Sequence, residues 1–428
     1  MASFSIPLTG LDTDSTALNT IANNLSNMNT TAYKQQTTNF SSLFSQQIGT
    51  TGSGDEIQQG AGVQVSANVT DFSEGSISAT NSATDMAING NGFFVLNGGN
   101  GGGFEYTRAG DFTTDANGNL VTQDGLSVMG YPSTDGVVNT NSQLTAINIP
   151  VGQVQAANAT SNMSMTANLD PAGGNSFSYQ MTIYDSLGEP HEATVTFDPT
   201  ATANTWSYSV ALPASDFASG TSTPVTGTIA FDSSGALTTV TPAGGAAETV
   251  GTGAGDVSSI SLGFTGLADQ AQDLSIGWNL LDSSGNPTIT QMDTSAASAV
   301  SASSQDGYAS GQYESFAINS DGTVTATFSN GEKENVGQIA LANVSNLQGL
   351  KSVGNQEYET TLASGTAVVA AAGSSGLGQI QDDSLEGSNV NISSEFSELI
   401  IAQRAFEADS KAVTTFDQVT QDTMNIIH

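Results

Sequence analysis

The stretch 393–427 contains neither Gly nor Pro, in a chain of 428 residues that has 47 Gly and 10 Pro. Apolar side chains recur in it at seven-residue spacing, with one more a turn away: Leu399, Phe406, Val413 and Ile427, and Phe396. A repeat of this period forms one apolar stripe along a helix, and the stripe needs a second helix to cover it. The sequence therefore predicts a long C-terminal helix that pairs as in a coiled coil, with Ser393 or Ser394 as its N-cap.

A matching stripe lies at the other end of the chain, where Leu11, Leu18 and Leu25 are again seven residues apart. We call the apolar residues at the two ends the terminal apolar stripes. We expect the two terminal helices to pair with each other, and the stripes to form a helix seam through which neighbouring copies of the chain make contact. The alternative is an ordinary amphipathic helix that lies on its own domain.

Between the two ends the apolar period changes to two, beginning at Val63, Val65, Ala67 and Val69, which is typical of β-strands. Short alternating runs are separated by turns that begin with Asp or Asn and end with Gly, as hairpins require. These turns are Asp115–Gly118, Asp185–Gly188, Asp232–Gly235, Asp282–Gly285 and Asn319–Gly322. The sequence thus predicts a mixed, mainly β fold, in which the terminal helices carry two β-rich domains.

The same patterns predict where the domains begin and end. Small, polar stretches near residues 153–162 and 297–305 indicate two crossings between the β domains, so the second domain is inserted into the first. The predicted parts are an N-terminal helix (1–34), a connecting segment (35–70), a discontinuous first β domain (71–150 plus 308–385), an inserted outer β domain (151–307) and a C-terminal helix (386–428).

Charge and composition exclude several partners. The chain has 41 acidic and 6 basic residues and a net charge of −35, whereas nucleic acids and anionic membranes bind basic surfaces. No apolar run approaches the roughly 18 residues of a membrane span, and the N-terminus lacks the basic and apolar regions of a secretory signal. We expect no nucleic-acid partner, no membrane insertion and no cleavable signal peptide.

No catalytic or ligand-binding constellation is evident, so we expect neither an enzyme nor a cofactor or metal. Cysteine is absent and there are two histidines, of which His191, between Pro190 and Glu192, is interpreted as a surface or turn residue. The glycine run 97–103 lacks the Lys and Ser or Thr of a phosphate loop. The turn at Asp115 resembles part of a calcium loop, but no Glu closes it at the required distance.

Both ends of the chain resemble bacterial flagellar rod and hook axial proteins. The N-terminal match is Thr20–Lys34 (TIANNLSNMNTTAYK), and the C-terminal match includes Glu386–Ile392 (EGSNVNI) and Leu399–Phe406 (LIIAQRAF). The segments Asp85–Val95 and Tyr106–Phe112 are similar to the strands of the first β domain of that family. The residues that carry the terminal signature are Asn23, Asn24, Asn27, Tyr33, Lys34, Gln403 and Arg404.

Within this family, the chain is most similar to hook proteins. The segments 168–170, 184–191 and 328–350 resemble hook sequences, whereas rod proteins are mostly shorter and lack the inserted domain. The nearest alternative is a distal rod protein of the basal body. An alternative of a different class is a secreted β-rich adhesin stabilised by calcium, which accounts for the acidity and the turns but not for the paired ends.

The resemblance implies a structural subunit of the flagellar hook. Such a subunit is exported through the flagellar type III apparatus without a cleavable signal peptide, and it polymerises on the distal rod outside the cell. The polymer is a curved, flexible tube that passes torque from the rod to the filament. The implied partners are other copies of the chain, the distal rod, the hook cap and the hook–filament junction proteins, and no cofactor is implied.

Overall fold

The computed structural model describes residues 5–44, 46–50, 56–98, 103–172, 174–293 and 297–426. The described chain is mainly β, with one α-helix at each end, and the two helices contact each other, which confirms the predicted fold class. It forms two compact units. The first comprises the residues up to Val151 with Ser315–Ala326 and those from Lys333 onward, and the second comprises Gly152–Glu314 with Thr327–Glu332. The finer five-part division remains a prediction.

The two α-helices are α1, Ser5–Ser26, and α2, Ile392–Ile426. The predicted N-cap of α2 at Ser393 or Ser394 is wrong, because Asn391 precedes the helix and caps it. The Asn391 Oδ1 accepts hydrogen bonds from the backbone amides of Ser393 and Ser394, at 3.0 and 3.2 Å, and so satisfies the first turn. Among the described residues, neither helix is long and apolar enough to cross a membrane.

The strands are short and follow one another closely along the chain. Those before residue 160 are β1 Gln36–Ser42, β2 Gln46–Thr50, β3 Glu56–Gln59, β4 Val63–Thr70, β5 Ile77–Ala79, β6 Met86–Asn89, β7 Phe93–Asn97, β8 Phe104–Thr107, β9 Thr113–Thr114, β10 Leu120–Val121, β11 Met129–Thr134, β12 Val137–Val138, β13 Thr145–Ala146 and β14 Val154–Gln155. Those between residues 160 and 310 are β15 Asn162–Leu169, β16 Phe177–Tyr184, β17 Pro190–Pro199, β18 Thr205–Ala211, β19 Val225–Phe231, β20 Leu237–Pro242, β21 Glu248–Thr249, β22 Ser259–Phe264, β23 Leu274–Asn279, β24 Ile289–Gln291 and β25 Ala299–Gln305. The remainder are β26 Gly311–Ile318, β27 Thr323–Phe328, β28 Lys333–Asn343, β29 Lys351–Gly354, β30 Glu357–Glu359, β31 Val368–Ala371, β32 Gln379–Asp382 and β33 Ser384–Glu386.

In the first unit, strands from both halves of the sequence share one sheet, in which β28, β7, β8, β30 and β29 are neighbours. Phe93, Val95 and Ala342 lie in its buried core. The rings of Phe72 and Tyr358 each pack edge-on against Phe93, with centroids 5.9 Å apart. The antiparallel pairs β5–β33 and β6–β32 then bring the strand that precedes α2 back to the start of this unit.

The segment 35–70, predicted as a connection, contains antiparallel strands. Strand β1 pairs with β4, with Gln36 opposite Thr70 at one end and Ser42 opposite Val63 at the other. The pair lies along α1, because the Thr38 hydroxyl donates a hydrogen bond to Thr20 Oγ1 at 2.9 Å. The N-terminal helix therefore contacts α2 and also a two-stranded ribbon.

The second unit consists of two sheets that enclose one apolar core. Strands β16 to β21 form an antiparallel meander, and β22, β23, β15 and β24 are neighbours in the other sheet, with β25 also paired to β15. Inward and outward residues alternate along the strands, as in a sheet with one buried face. Trp278 is fully buried at the centre, and its ring packs against Phe197 and Tyr208.

The five predicted Asp-Gly and Asn-Gly turns are confirmed. In each, the closing glycine has a φ between 81° and 84°, the left-handed region that other residues rarely adopt. The carboxylates of Asp115, Asp232 and Asp282 accept hydrogen bonds from the backbone amides of their own turns. The Oδ1 atom of each of these three carboxylates is therefore occupied by hydrogen bonds within the turn itself.

One carboxyl in the first unit makes stability depend on pH. Glu357 on β30 is 7% exposed, and burial, with smaller contributions from Glu105 and Asp124, raises its pKa to about 7. The ordinary pKa of a glutamate is 4.5, and the buried carboxyl of Glu357 is tolerated best in its neutral form. The first unit therefore has its full stability below pH 4.5 and loses stability as the pH rises through about 7. We expect Glu357→Gln to stabilise the first unit by about 1–3 kcal/mol at pH 8 and to have little effect at pH 4.

Both tryptophans, Trp206 and Trp278, lie in the second unit, so tryptophan fluorescence does not report on the first unit. Hydrogen exchange of the β8 and β30 amides at both pH values measures the effect instead. Glu359→Gln is the matched control, since Glu359 is exposed and paired with the exposed Lys351. An equal loss of protection in Glu357→Gln at both pH values would contradict the assignment.

Candidate functional site

The two terminal helices pack side by side and run in opposite directions. Near the start of α1, Gly10 faces Asp409, so closely that a Cβ at this position would overlap the Asp409 carboxylate. Near the end of α1, the Asn24 amide donates a hydrogen bond to Glu395 at 3.2 Å. The residue numbers therefore fall along α2 as they rise along α1, which defines an antiparallel pair.

Small side chains lie where the helices approach each other. Ala17 of α1 and Ala402 and Ala405 of α2 border a cavity of about 320 Å³ between the two helices and β1. Ile401 and Phe40 also border this cavity, and they are 68% and 49% exposed. The helix pair in a single chain thus leaves a largely apolar groove open on one side.

The predicted stripes lie beside this closest approach, not in it. Each leucine of α1 follows a residue of the contact by one position: Leu11 follows Gly10, Leu18 follows Ala17 and Leu25 follows Asn24. All three leucines are partly buried, as are Leu399 and Val413 of α2. Phe396 is 47% and Phe406 is 37% exposed, and Ile427 lies outside the described residues.

Helix α2 carries further apolar side chains that the single chain leaves in water. Ile400 is 59% exposed, Val419 51%, Met424 62% and Ile426 83%. Since Gly10 faces Asp409, the last turns of α2 extend beyond Ser5, the first described residue of α1. Exposed large apolar side chains this numerous on one helix are typical of an interaction site.

A buried ionic cluster joins the helices to the first β domain. Glu386, in β33 just before α2, is fully buried, and its Oε1 lies 2.6 Å from Lys34 Nζ. Its Oε2 lies 3.2 Å from Arg108 NH1, and the Gly75 amide donates to Oε1 at 2.8 Å. The pKa of Lys34 is lowered by burial, which outweighs the opposing effect of Glu386. One carboxylate thus balances two buried cations from distant parts of the sequence.

Asn24 makes a second junction at the end of α1. Its side-chain nitrogen donates to the carbonyl of Gln36 at 2.8 Å and to Glu395 Oε1, and its Oδ1 accepts from the Gln36 amide at 3.0 Å. The Tyr33 hydroxyl also donates to Asn24 Oδ1, at 3.1 Å. These bonds hold the end of α1, the start of β1 and the first turn of α2 together.

The N-terminal signature residues converge on this junction. Asn23 lies 3.4 Å from the Tyr33 hydroxyl, and Asn27 donates to the backbone carbonyl of Asn23 at 2.9 Å. Gln403 and Arg404 do not reach it, because both are exposed on α2, where Arg404 pairs with Glu407 at 3.1 Å. The structure therefore groups Asn23, Asn24, Asn27 and Tyr33, places Lys34 in the ionic cluster with Glu386, and separates all five from the C-terminal pair.

Sequence reasoning missed the partners of these residues. Glu395, in the first turn of α2, is fully buried, and burial raises its pKa. Asn389 accepts a hydrogen bond from the Gln35 amide at 2.7 Å, and Glu386 and Arg108 belong to the ionic cluster.

Four family models match the chain in order. Residues 7–34 match flagella basal body rod proteins, residues 87–167 match the flagellar hook protein FlgE/F/G D1 domain, residues 153–308 match the flagellar basal body protein FlaE D2 domain, and residues 381–426 match the C-terminal part of flagellar basal body rod FlgEFG proteins.

Relatives align along nearly the whole chain. The flagellar hook protein FlgE of Salmonella typhimurium is 32% identical over 440 residues, which cover 99% of this chain and 100% of the relative. The flagellar hook protein FlgE of Borreliella burgdorferi is 30% identical over 455 residues, 98% of each chain. The crystal structure of Helicobacter pylori flagellar hook protein FlgE2 covers 72% of this chain and 100% of its own, with a TM-score of 0.53 and 17% identity, a likeness of fold alone. Because relatives at least 30% identical align with it along nearly its whole length, the chain belongs to the flagellar hook protein family.

Proposed function

We propose that this chain acts as a structural subunit of the bacterial flagellar hook by polymerising with copies of itself through its terminal helices. The observation that supports this most is the set of exposed large apolar side chains on α2, which includes Phe396, Ile400 and Phe406. In a monomer this surface remains in water, whereas in a polymer the helices of neighbouring copies would cover it. Burial of each large apolar side chain would contribute roughly 1.5–3 kcal/mol.

The open groove supports the same role. Its lining residues Ala17, Ala402 and Ala405 are small, which leaves room between the helices for a large side chain of another copy. Contacts of this kind join one face of a subunit to a different face of the next, and they produce an open helical polymer unless the rotation closes a ring. The proposed polymer is a short, curved tube between the rod and the filament.

The buried junction is suited to transmitting force from the helices to the β domains. The cluster of Lys34, Arg108 and Glu386 and the hydrogen bonds of Asn24 connect both helices to the strands of the first unit through buried, directional contacts. A rotation applied to the helix layer would therefore move the first β domain with it. Sliding of the polar outer surfaces of neighbouring copies would let the tube bend.

The proposed partners are other copies of the chain, the distal rod, the hook cap and the hook–filament junction proteins. We also propose export through the flagellar type III apparatus without a cleavable signal peptide, and a non-enzymatic role. A distal rod protein is the weaker candidate, because the aligned relatives named above are hook proteins along nearly their full length.

The test is assembly of the purified chain, followed by electron microscopy. We expect curved tubes from the intact chain and none after removal of residues 392–428. Straight, rigid tubes would favour the rod alternative, and monomers of the intact chain under all assembly conditions would contradict the proposal.

Removal of the inserted domain should leave assembly intact. The predicted crossing near 297–305 is wrong, because strand β25 occupies Ala299–Gln305. The amide of Asn158 donates to the carbonyl of Tyr308 at 3.0 Å and the amide of Tyr308 donates back at 2.9 Å, so the two ends of the segment 159–307 are adjacent. We expect a chain in which a two-glycine linker replaces residues 159–307 to fold and polymerise into tubes of altered curvature or stiffness. Electron microscopy of the tubes measures this, and loss of folding would show that the predicted domain limits are wrong.

A further inference from the structure

His191 is buried in the second unit, so its interpretation as a surface or turn residue is wrong. It lies near the start of β17, where inward and outward residues alternate, and its place in that alternation turns it inward. It is 5% exposed, although its neighbours Pro190 and Glu192 are both exposed. A buried histidine must have partners for both ring nitrogens, because an unsatisfied polar group in the interior is costly.

Among the residues that the structure describes, one of the two ring nitrogens has such a partner. His191 Nδ1 lies 2.8 Å from Asp216 Oδ2, and because a carboxylate only accepts, Nδ1 carries the proton and donates it. In the neutral ring, Nε2 then presents a lone pair. Nε2 lies 3.5 Å from Asp185 Oδ2, and within the described part of the chain both buried atoms lack a hydrogen-bond partner. When the ring is neutral, two electron-rich atoms thus face each other 3.5 Å apart, at the outer limit of hydrogen-bond length.

The spare oxygen of Asp185 has a specific cause in the sequence. As in the other Asp-Gly turns, Oδ1 accepts from backbone amides, here those of Leu187 at 2.8 Å and Glu189 at 2.9 Å. In the turns of Asp115 and Asp282, an Asn four residues later donates to Oδ2. The corresponding residue after Asp185 is Glu189, which has no donor, so Oδ2 remains available.

A third ligand comes from the loop between β22 and β23. One carboxylate oxygen of Asp269 lies within 4.8 Å of both Asp185 and His191, and Asp269 is exposed to solvent. The loop is fixed in place, because the Ala268 amide donates to the Asp216 carbonyl and the Gln272 amide donates to Ser186 Oγ, both at 2.9 Å. Three separate segments of the second unit are therefore held around one point.

We propose that Asp185, His191 and Asp269 bind a divalent transition-metal cation, with Asp216 orienting the histidine. Ligand distances of 2.0–2.2 Å around a tetrahedral zinc ion place neighbouring ligand atoms about 3.4 Å apart, which matches the 3.5 Å gap between Asp185 Oδ2 and His191 Nε2. The hydrogen bond from His191 Nδ1 to a carboxylate is the arrangement that metal-bound histidines commonly show.

The donor set selects the class of cation. One imidazole nitrogen and two carboxylate oxygens suit zinc and its neighbours in the first transition series, whereas calcium takes six to eight oxygen ligands. A solvent molecule would complete the coordination on the side of the exposed Asp269. The bound metal would join the Asp185 turn, strand β17 and the 267–272 loop, and so would stabilise the second unit.

The experiment is a titration of the full chain, freed of metal by a chelator, with Zn²⁺, followed by calorimetry and by the thermal unfolding of the second unit. We expect one saturable site per chain and a higher Tm with Zn²⁺ than with an equal concentration of Ca²⁺. Asp269→Asn and His191→Gln should each weaken Zn²⁺ binding at least tenfold. Glu192→Gln, which removes an exposed acidic group on the outward side of β17 next to His191, is the matched control and should bind as the unchanged chain does.

Two results would overturn the proposal. Zn²⁺ and Ca²⁺ binding that is weak, multiple and unchanged in Asp269→Asn would indicate attraction to the acidic surface as a whole. The second contradicting result comes from nitrogen NMR of the metal-free chain at pH 8: a His191 that is protonated at both nitrogens and does not change on addition of Zn²⁺. An imidazolium between Asp185 and Asp216 would then satisfy the buried atoms without a metal.

Discussion

Glu386→Gln is expected to lower the free energy of unfolding of the first unit by about 3–5 kcal/mol. The substitution keeps the shape of the side chain but leaves the buried ammonium of Lys34 and the guanidinium of Arg108 without a counter-charge. Glu386 is 0% exposed, so water does not replace the lost partner. Removal of one partner of a buried ion pair costs more than the pair itself contributes, because the remaining charge stays desolvated.

The cluster also predicts an asymmetry between its members. Lys34→Met removes one of the two cations and leaves the neutral pair of Arg108 and Glu386, so we expect a smaller loss than for Glu386→Gln. Urea unfolding followed by hydrogen exchange of the first-unit strands measures both losses. Glu359→Gln is the control, since its pair with Lys351 is exposed and is worth at most about 1 kcal/mol. Equal, small losses in all three variants would show that the buried cluster contributes little.

Phe406→Asp is expected to abolish polymerisation and to leave the isolated chain folded. Phe406 is 37% exposed on α2, so the monomer can accept a charge there at low cost. At a contact between copies the same carboxylate would be buried without a partner, and on a chain of net charge −35 it would add to the repulsion. The loss should exceed that of Phe406→Ala, which removes the apolar area but adds no charge.

Sedimentation and electron microscopy under assembly conditions measure this effect, and hydrogen exchange of β7 and β28 verifies that the first unit, to which α2 belongs, is folded. Leu362→Asp is the matched control, because Leu362 is a fully exposed apolar residue of the first unit that lies outside both helices. It should polymerise as the unchanged chain does. Normal tubes from Phe406→Asp would remove this residue from the proposed interface.

The seven-residue spacing predicted the two helices and their pairing but not the faces that meet. Spacing places Leu11, Leu18 and Leu25 on one side of α1, yet antiparallel helices approach most closely where side chains are small. Gly10 and Ala17 provide that approach, and the leucines are displaced to its side. A stripe in the sequence therefore identifies an apolar surface but does not determine which partner covers it.

The buried cluster was beyond prediction from local sequence, because its members meet only after the chain has folded. Lys34 and Glu386 are separated by 352 residues, and Arg108 and Glu386 by 278. The signature identified Lys34 through resemblance alone and gave no reason for its charge. His191 was missed for a related reason: its polar neighbours indicate a surface, whereas the alternation of β17 turns it inward.

The most direct test of the central claim, that copies of the chain assemble through the terminal helices, is hydrogen exchange of α2 in the monomer and in the polymer. In the monomer, residues 414–426 have almost no buried side chains and lie beyond the described start of α1, so we expect their amides to exchange quickly. In the polymer we expect slowing by at least a hundredfold, with β18 in the core of the second unit unchanged. Equal exchange of residues 414–426 in the monomer and in the polymer would show that assembly uses another surface.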